Sequence, residues 1–444
     1  MTIAQIDSVT APTDVTPALL SCILQCKVSS CQLNALGRGV MSNVQLLTVC
    51  YDVREQDSSS MDAVQLPTQF LVKFKKAEVP LPDLFSVEGE FYKLSESLSV
   101  ESENRCDKND PVDATFPFSF RIVKAMATGP SWLLLEFIPP SVTDTFDVHQ
   151  GCPENVFDDL LLRLARMHSF FWMHGQGEST MKESQQKKLA LILKNHCHNL
   201  SSSPGAGHTL PINSRQEQFV PAWPAVRERL TRYIKSEDLQ KMDNLVEMTA
   251  ADSRIKKCAT RVTERKYTIV HGDFHIGNIL LPKGQQTTVD RCEESHIPWL
   301  VDWSMVGLGN PLIDLVFFLV VGANDISIHQ TDSSSTSKNV ERILKLYHTI
   351  LNEQKIREIS TDEPNNISTQ QRLLLSWDEF VSMFRECLLN QFIILVCYDS
   401  LCRDMSDACP CGEKDVYHDH FDRVNVRCLR MLLSDYGWME NMFD

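Results

Sequence analysis

Ile269-Val270-His271-Gly272-Asp273-Phe274-His275-Ile276-Gly277-Asn278-Ile279-Leu280-Leu281 is the stretch on which the reading of this chain turns. Apolar runs bracket a polar loop on both sides, the pattern expected when buried strands hold a loop rigidly. Inside the loop the carboxylate Asp273 and the carboxamide Asn278 stand five positions apart. A carboxylate can accept the proton of an attacking hydroxyl, and an amide oxygen is a hard ligand suited to Mg²⁺. Downstream, Pro298-Trp299-Leu300-Val301-Asp302-Trp303 reads as a short apolar strand ending in another carboxylate. Asp302 can complete the protein's share of a magnesium site while ATP phosphates supply further oxygens. Either piece alone also fits a polar hairpin with incidental acids. Their order and separation together match the base-plus-metal arrangement of phosphoryl transfer.

Upstream, the chain reads as strand-rich. Val44–Val53 and Phe70–Phe74 are β-branched and apolar runs, joined by the polar segment Arg54–Ser60. A helix is expected over Leu84–Leu98, where Phe91, Leu94 and Leu98 keep helical spacing. Beyond the polar insert Glu101–Asp113, strands are expected at Phe118–Ala127 and Trp132–Ile138. Pro139-Pro140 then stops the sheet, because proline has no N–H for the ladder. Gly37-Arg38-Gly39-Val40-Met41-Ser42 reads either as a tight turn or as a phosphate cradle of backbone N–H groups and the Ser42 hydroxyl. Lys73 lies in the apolar run Phe70-Leu71-Val72-Lys73-Phe74, where a charge needs a partner, and Lys75 competes for the same role by strand alternation.

The remainder reads as mainly helical. Phe157, Leu161, Leu164, His168 and Phe171 fall on one helical face, which gives His168 a structural role. Further helices fit Ala225–Met248, Val340–Asn352, Trp377–Ser400 and His420–Leu433. Met181–Arg215 and Asp325–Lys338 are polar and read as insertions or loops. Trp377, Tyr398 and Asp399 are candidates for a substrate pocket or, equally, for core and surface.

With 444 residues the chain exceeds what one core usually serves. A net charge of -15 leaves no basic face for nucleic acid, which is excluded as a partner. Fifteen cysteines without a disulfide-like framework point to a reducing, cytoplasmic setting. Met1–Thr16 lacks the pattern of a signal peptide, and the most apolar run, Leu312–Ala323, contains Asp314 and is too short to span a bilayer. No membrane span is expected, and nothing in the sequence speaks to oligomeric state. Cys409-Pro410-Cys411 and His418-Asp419-His420 lack the usual zinc spacing and read as a solvated loop entering the last helix.

His271–Asn278 and the run Val301–Leu315 (V-D-W-S-M-V-G-L-G-N-P-L-I-D-L) resemble the aminoglycoside phosphotransferase and choline kinase superfamily. The resemblance runs from about residue 30 to 400, and it implies an α+β, protein-kinase-like bilobal fold. A flexible N-terminus would occupy 1–16, and a small antiparallel N-lobe sheet with one helix 17–139. A larger, mostly helical C-lobe would occupy 140–444. By resemblance Asp273 is the catalytic base, Asn278 and Asp302 hold Mg²⁺, and Asp314 either braces the loop or caps its helix. His271 and His275 would orient the loop. Gly37, Gly39 and Ser42 would meet ATP phosphates, and Glu136, Phe137 and Ile138 would form the adenine hinge. Lys73 would bind ATP with Glu88 as its partner, since Glu88-Gly89-Glu90-Phe91-Tyr92 resembles the family's E-x-x-F-Y; Glu90 competes. The implied reaction moves the γ-phosphoryl of ATP to a small hydroxylated substrate. Leu344–His348 and Trp377–Cys397 look most like the ecdysteroid-kinase-like branch, and His-Gly-Asp in place of His-Asn-Asp departs from choline kinases. Asp302-Trp303-Ser304 stands where a protein kinase has D-F-G, and no A-P-E follows, so a protein kinase is not expected.

Overall fold

Alternation along the third strand organises the N-terminal part of the molecule. A computed structural model describes residues 6, 8–38, 42–52, 67–76, 84–103, 119–146, 151–171, 212–251, 268–283, 297–322, 339–352, 375–407 and 414–433. Strands β1 (Val28–Arg38), β2 (Ser42–Tyr51) and β3 (Gln69–Lys75) are followed by helix α2 (Leu84–Glu103), then by β4 (Arg121–Ile122), β5 (Ala125–Thr128) and β6 (Trp132–Glu136). Helix α1 (Pro17–Leu24) precedes them, its first turn closed by the Thr16 hydroxyl accepting from the Leu19 amide at 3.3 Å. Five strands form one antiparallel sheet in the order β1-β2-β3-β6-β5. Phe70, Val72 and Phe74 project to one face, where they pack with Leu47, Val49, Leu134 and α1's Leu19 and Leu20.

 Residues 70, 72 and 74 therefore share the α1 side of the sheet, while Lys73 points to the other side. There α2 covers the sheet, with Val87, Phe91 and Leu94 packed near Leu133 and Leu135. Burying each such side chain contributes about 1.5–3 kcal/mol. Lys73 is buried because a helix roofs its face.

The expected strand Phe118–Ala127 is instead two short strands in different sheets. After β4 the chain shifts sheets. The Glu136 amide donates to the Lys124 carbonyl at 2.8 Å, which draws the following residues to β6 as β5. The second sheet has the order β4-β10-β9-β7, from β7 (Thr143–Asp144), β9 (Ile279–Pro282) and β10 (Trp299–Leu300). Separately, β8 (Thr268–Val270) pairs with β11 (Gly307–Gly309). The 271–278 loop thus runs from β8 to β9, and both strands are paired with the segment that carries Asp302. Two motifs distant in sequence fold as one unit.

Helices α3 (Glu154–Phe170), α4 (Ile212–Leu230), α5 (Ser236–Ala251), α6 (Leu312–Phe317), α7 (339–352), α8 (Trp377–Asp407) and α9 (Lys414–Leu433) make up the rest. The architecture is α+β, a small antiparallel sheet with its helix joined to a larger helical part. The single helix expected over Ala225–Met248 is two, α4 and α5. The chain turns at 231–235, which lets Ile234 bury, and Ser236-Glu237-Asp238 restarts a helix with acids in its first turn. Helices α8 and α9 also run longer than expected, to Asp407 and from Lys414. The flexible N-terminus expected over 1–16 does not extend to its last residues: Val9 and Val15 are buried against the sheet.

Trp377–Asp399 within α8 is long and apolar enough to cross a membrane, but 83% of that window is buried in the protein. Its apolarity is accounted for by packing against α4, α6 and α9. Cys152, Cys387, Cys397 and Cys428 are buried and serve as small apolar groups. Of the expected inserts Glu101–Asp113 and Met181–Arg215, residues 101–103 end α2 and 212–215 open α4; 104–113, 181–211 and 325–338, together with Cys409 and Cys411, lie outside the described residues.

Candidate active site

Lys73 joins the two parts of the molecule. Its Nζ lies 2.9 and 3.0 Å from the Glu88 carboxylate oxygens on α2, and 2.8 Å from Oδ1 of Asp302 just beyond β10. Tyr92, one turn along α2, donates its hydroxyl to Glu88 Oε1 at 3.1 Å. Of the sequence alternatives, Lys73 and Glu88 make this pair, while Glu90 meets the exposed Lys93. Burial pushes the Glu88 carboxyl up. Burial also opposes the charge on Lys73, but Glu88 and Asp302 outweigh it and raise the ammonium pKa. Asp302 is less enclosed. Burial raises it, yet the Lys73 ammonium and the Ser304 hydroxyl bring it down to about 2. One cation thus serves two carboxylates, and the more exposed carboxylate keeps its charge most firmly.

Asp302 itself has φ 61°, ψ 64°, a left-handed conformation that aspartate tolerates better than most residues. Trp303 follows and is fully buried. It stacks on Phe91 of α2 at 4.0 Å and donates to the Leu300 carbonyl at 3.0 Å. The Glu88-Gly89-Glu90-Phe91-Tyr92 motif therefore contributes three residues to this junction, although the sequence reading gave a role only to Glu88. The pairing of a tryptophan after Asp302 with the motif's phenylalanine was the available signal.

The 271–278 loop is held by its own backbone and by Asp314. Asp314 accepts the His271 amide at 2.7 Å through Oδ2 and the Gly272 amide at 2.8 Å through Oδ1. Of its two sequence readings, bracing the loop is the one the geometry carries out; the helix start at Pro311 has no side-chain cap. Gly272 has φ 82°, where a side chain would be strained.

His271 is fully buried, and burial lowers its pKa. The neutral ring is filled at both nitrogens: Nε2–H donates to the Val301 carbonyl at 3.0 Å, and Nδ1 accepts from the Asp273 amide at 3.2 Å. It orients the loop toward β10. His275 Nδ1 accepts from the Gly277 amide at 3.1 Å, and its Nε2 lies 3.6 Å from Asp273 Oδ2. Burial opposes a charge on His275, but the Asp273 carboxylate outweighs it and raises the pKa. Reciprocally, burial raises Asp273, and His275 and His271 pull it below the usual carboxylate value.

Asn278 donates its side-chain amide to the Asp273 carbonyl at 2.9 Å and to Asp273 Oδ2 at 3.1 Å. That use of the nitrogen leaves the carboxamide oxygen as a hard donor. Asp302 and Asn278 then offer two oxygens, which fits the few protein ligands Mg²⁺ takes when phosphates complete its shell. Among the described residues, no group of three or more His, Cys, Asp and Glu side chains could hold a metal.

The other expected contacts are mixed. Gly37 is the penultimate residue of β1, opposite Val44, and Ser42 opens β2 as a buried residue, while Gly39 lies outside the described residues. Glu136 closes β6 opposite Phe70 and accepts from the Lys124 amide at 3.2 Å; Phe137 and Ile138 follow as partly buried residues. Trp377 stacks on Phe380 at 5.7 Å, and Asp399 is buried in an ion pair with Arg229. Both have protein partners of their own.

Residues 121–334 match the family model described as the phosphotransferase enzyme family, APH. No curated protein matches the chain significantly in sequence. Among solved structures, choline kinase from Cryptosporidium parvum Iowa II is similar at 8% identity and a TM-score of 0.39, over 92% of this chain and 90% of that one. Spectinomycin phosphotransferase in complex with ADP and spectinomycin is 12% identical, with a TM-score of 0.39, over 94% and 97% of the two chains. A macrolide 2'-phosphotransferase from Brachybacterium faecium is 10% identical, with a TM-score of 0.37, over 94% and 98%.

Proposed function

We propose that the chain is a small-molecule kinase, moving the γ-phosphoryl group of ATP to a substrate hydroxyl. The observation that carries this is the buried Lys73, which bridges Glu88 and Asp302 beside the Asp273–Asn278 loop. The match of residues 121–334 to a phosphotransferase family supports the same reading. Asp273 is the base: its lowered pKa keeps it ionised at neutral pH, ready to accept the hydroxyl proton. Lys73 directs its charge at the phosphates, and Glu88 with Tyr92 holds the ammonium in place. Asn278 and Asp302 would hold Mg²⁺, which when bound neutralises phosphate charge. Ser42 and the β1–β2 turn would meet the phosphates, and the backbone at Glu136–Ile138 the adenine. Leu344–His348 and Trp377–Cys397 resemble the ecdysteroid-kinase-like branch, and sterols therefore enter the test beside other hydroxylated acceptors.

The test is ATP consumption with sterols, amino alcohols, sugars and aminoglycosides, with Asp273→Asn as control. Turnover on at least one class is expected, falling about 10²–10⁴-fold in Asp273→Asn. Full activity in that variant would reject Asp273 as base. Intact ATP binding with no turnover across the panel would favour a pseudokinase or ligand-binding protein on this fold.

A further inference from the structure

Asp314 braces the loop, but it is itself held from behind. His168, on α3, is fully buried, and its Nε2 lies 3.1 Å from Asp314 Oδ2. Its Nδ1 is bonded to the hydroxyl of Tyr347 on α7, a residue that is also fully buried. The His168 backbone is fixed too, since the Thr268 hydroxyl on β8 donates to its carbonyl at 2.8 Å. Helix α7 is pinned to α3 at two further points. Ser169 donates to the Leu351 carbonyl at 3.1 Å, and Arg342 meets Asp158 at 3.0 and 3.2 Å.

The Asp314 carboxylate selects the donor end of the ring. A carboxylate only accepts, so Nε2 of His168 carries the proton and donates to Asp314. Nδ1 holds the ring's other hydrogen bond, to the Tyr347 hydroxyl. Asp314 receives three N–H groups: the His168 ring, the His271 amide and the Gly272 amide. The last two lie immediately before Asp273, so the carboxylate's rotation sets where the base sits.

Resting on the kinase reading above, we propose that His168 and Tyr347 are positioning residues for phosphoryl transfer. Tyr347 fixes the orientation of the His168 ring, and His168 fixes Asp314 so that Asp273 is held in register with the acceptor hydroxyl. A buried histidine that merely fills the core would give the same packing but would not require a donor at Nε2.

The test compares His168→Leu, His168→Gln and Tyr347→Phe in the full chain. Glutamine places an amide N–H near the position of Nε2 and keeps the donor, whereas leucine removes it. Two quantities are read: kcat and KM for ATP, and hydrogen-exchange protection of the His271 and Gly272 amides relative to those of β8. In His168→Leu, kcat should fall about 100-fold with KM for ATP within about 2-fold, and protection of the two amides should fall at least about 10-fold. His168→Gln should restore most of both, and Tyr347→Phe should be intermediate. Unchanged protection in His168→Leu overturns the proposal, as does glutamine behaving like leucine. A wild-type chain that folds and shows no turnover defeats the kinase reading, while the exchange data still decide whether these residues position the loop.

Discussion

Asp273 sits between two histidines with different tasks. His271 is neutral and spent on the backbone, whereas His275 faces the carboxylate at 3.6 Å and lowers its pKa. A base works when deprotonated, so activity is lost as pH falls through the Asp273 pKa, which lies below the ordinary carboxylate value. Replacing His275 with alanine removes a stabilising charge and raises that pKa. The acid limb of the kcat–pH profile should therefore move to higher pH in His275→Ala. A limb that stays in place would show that His275 does not tune the base.

At the scale of elements, the loop depends on the close approach of β8 and β11. Gly309 is opposite Thr268 in the ladder, and a Cβ there would meet Val270 Cγ2 at 2.8 Å. Val270 is buried, so the strands would have to separate. Gly309→Ala should destabilise the protein by about 1–3 kcal/mol, the usual cost of overpacking, in denaturant unfolding. Because β8 leads directly into His271, kcat should fall as well. Stability equal to wild type would mean the strand pair yields more easily than its packing indicates. Much at this scale was legible in the sequence. Val44–Val53, Phe70–Phe74, Leu84–Leu98 and Trp132–Ile138 all correspond to observed elements, because each carries a clear period or a strong breaker. The split of Phe118–Ala127 and the break between α4 and α5 were not, because each depends on which partner a short segment meets.

At the scale of the whole molecule, two cores meet at Lys73 and Asp302. One core lies between the sheet and α1; the other runs from α2 through the helical part. Mg²⁺ and ATP bound across this junction should stabilise the fold by about 2.7 kcal/mol at a hundred times Kd. Thermal unfolding should show a rise in Tm with Mg²⁺ and ATP together, and Asp302→Asn should abolish the metal-dependent part of it. An Asp302→Asn protein that keeps the full metal-dependent shift would remove Asp302 from the metal site. The sequence by itself determined the chemistry on offer: a carboxylate and a carboxamide in one loop, a second carboxylate ending a strand, and a lysine in an apolar strand. Those are properties of local order and spacing, which a linear reading preserves. Only the tertiary structure decided which lysine and which glutamate pair, that Asp314 braces the loop, and that His168 and Tyr347 stand behind it. Those contacts join residues as far as 229 positions apart, and burial and geometry, which no local pattern encodes, select among equivalent side chains.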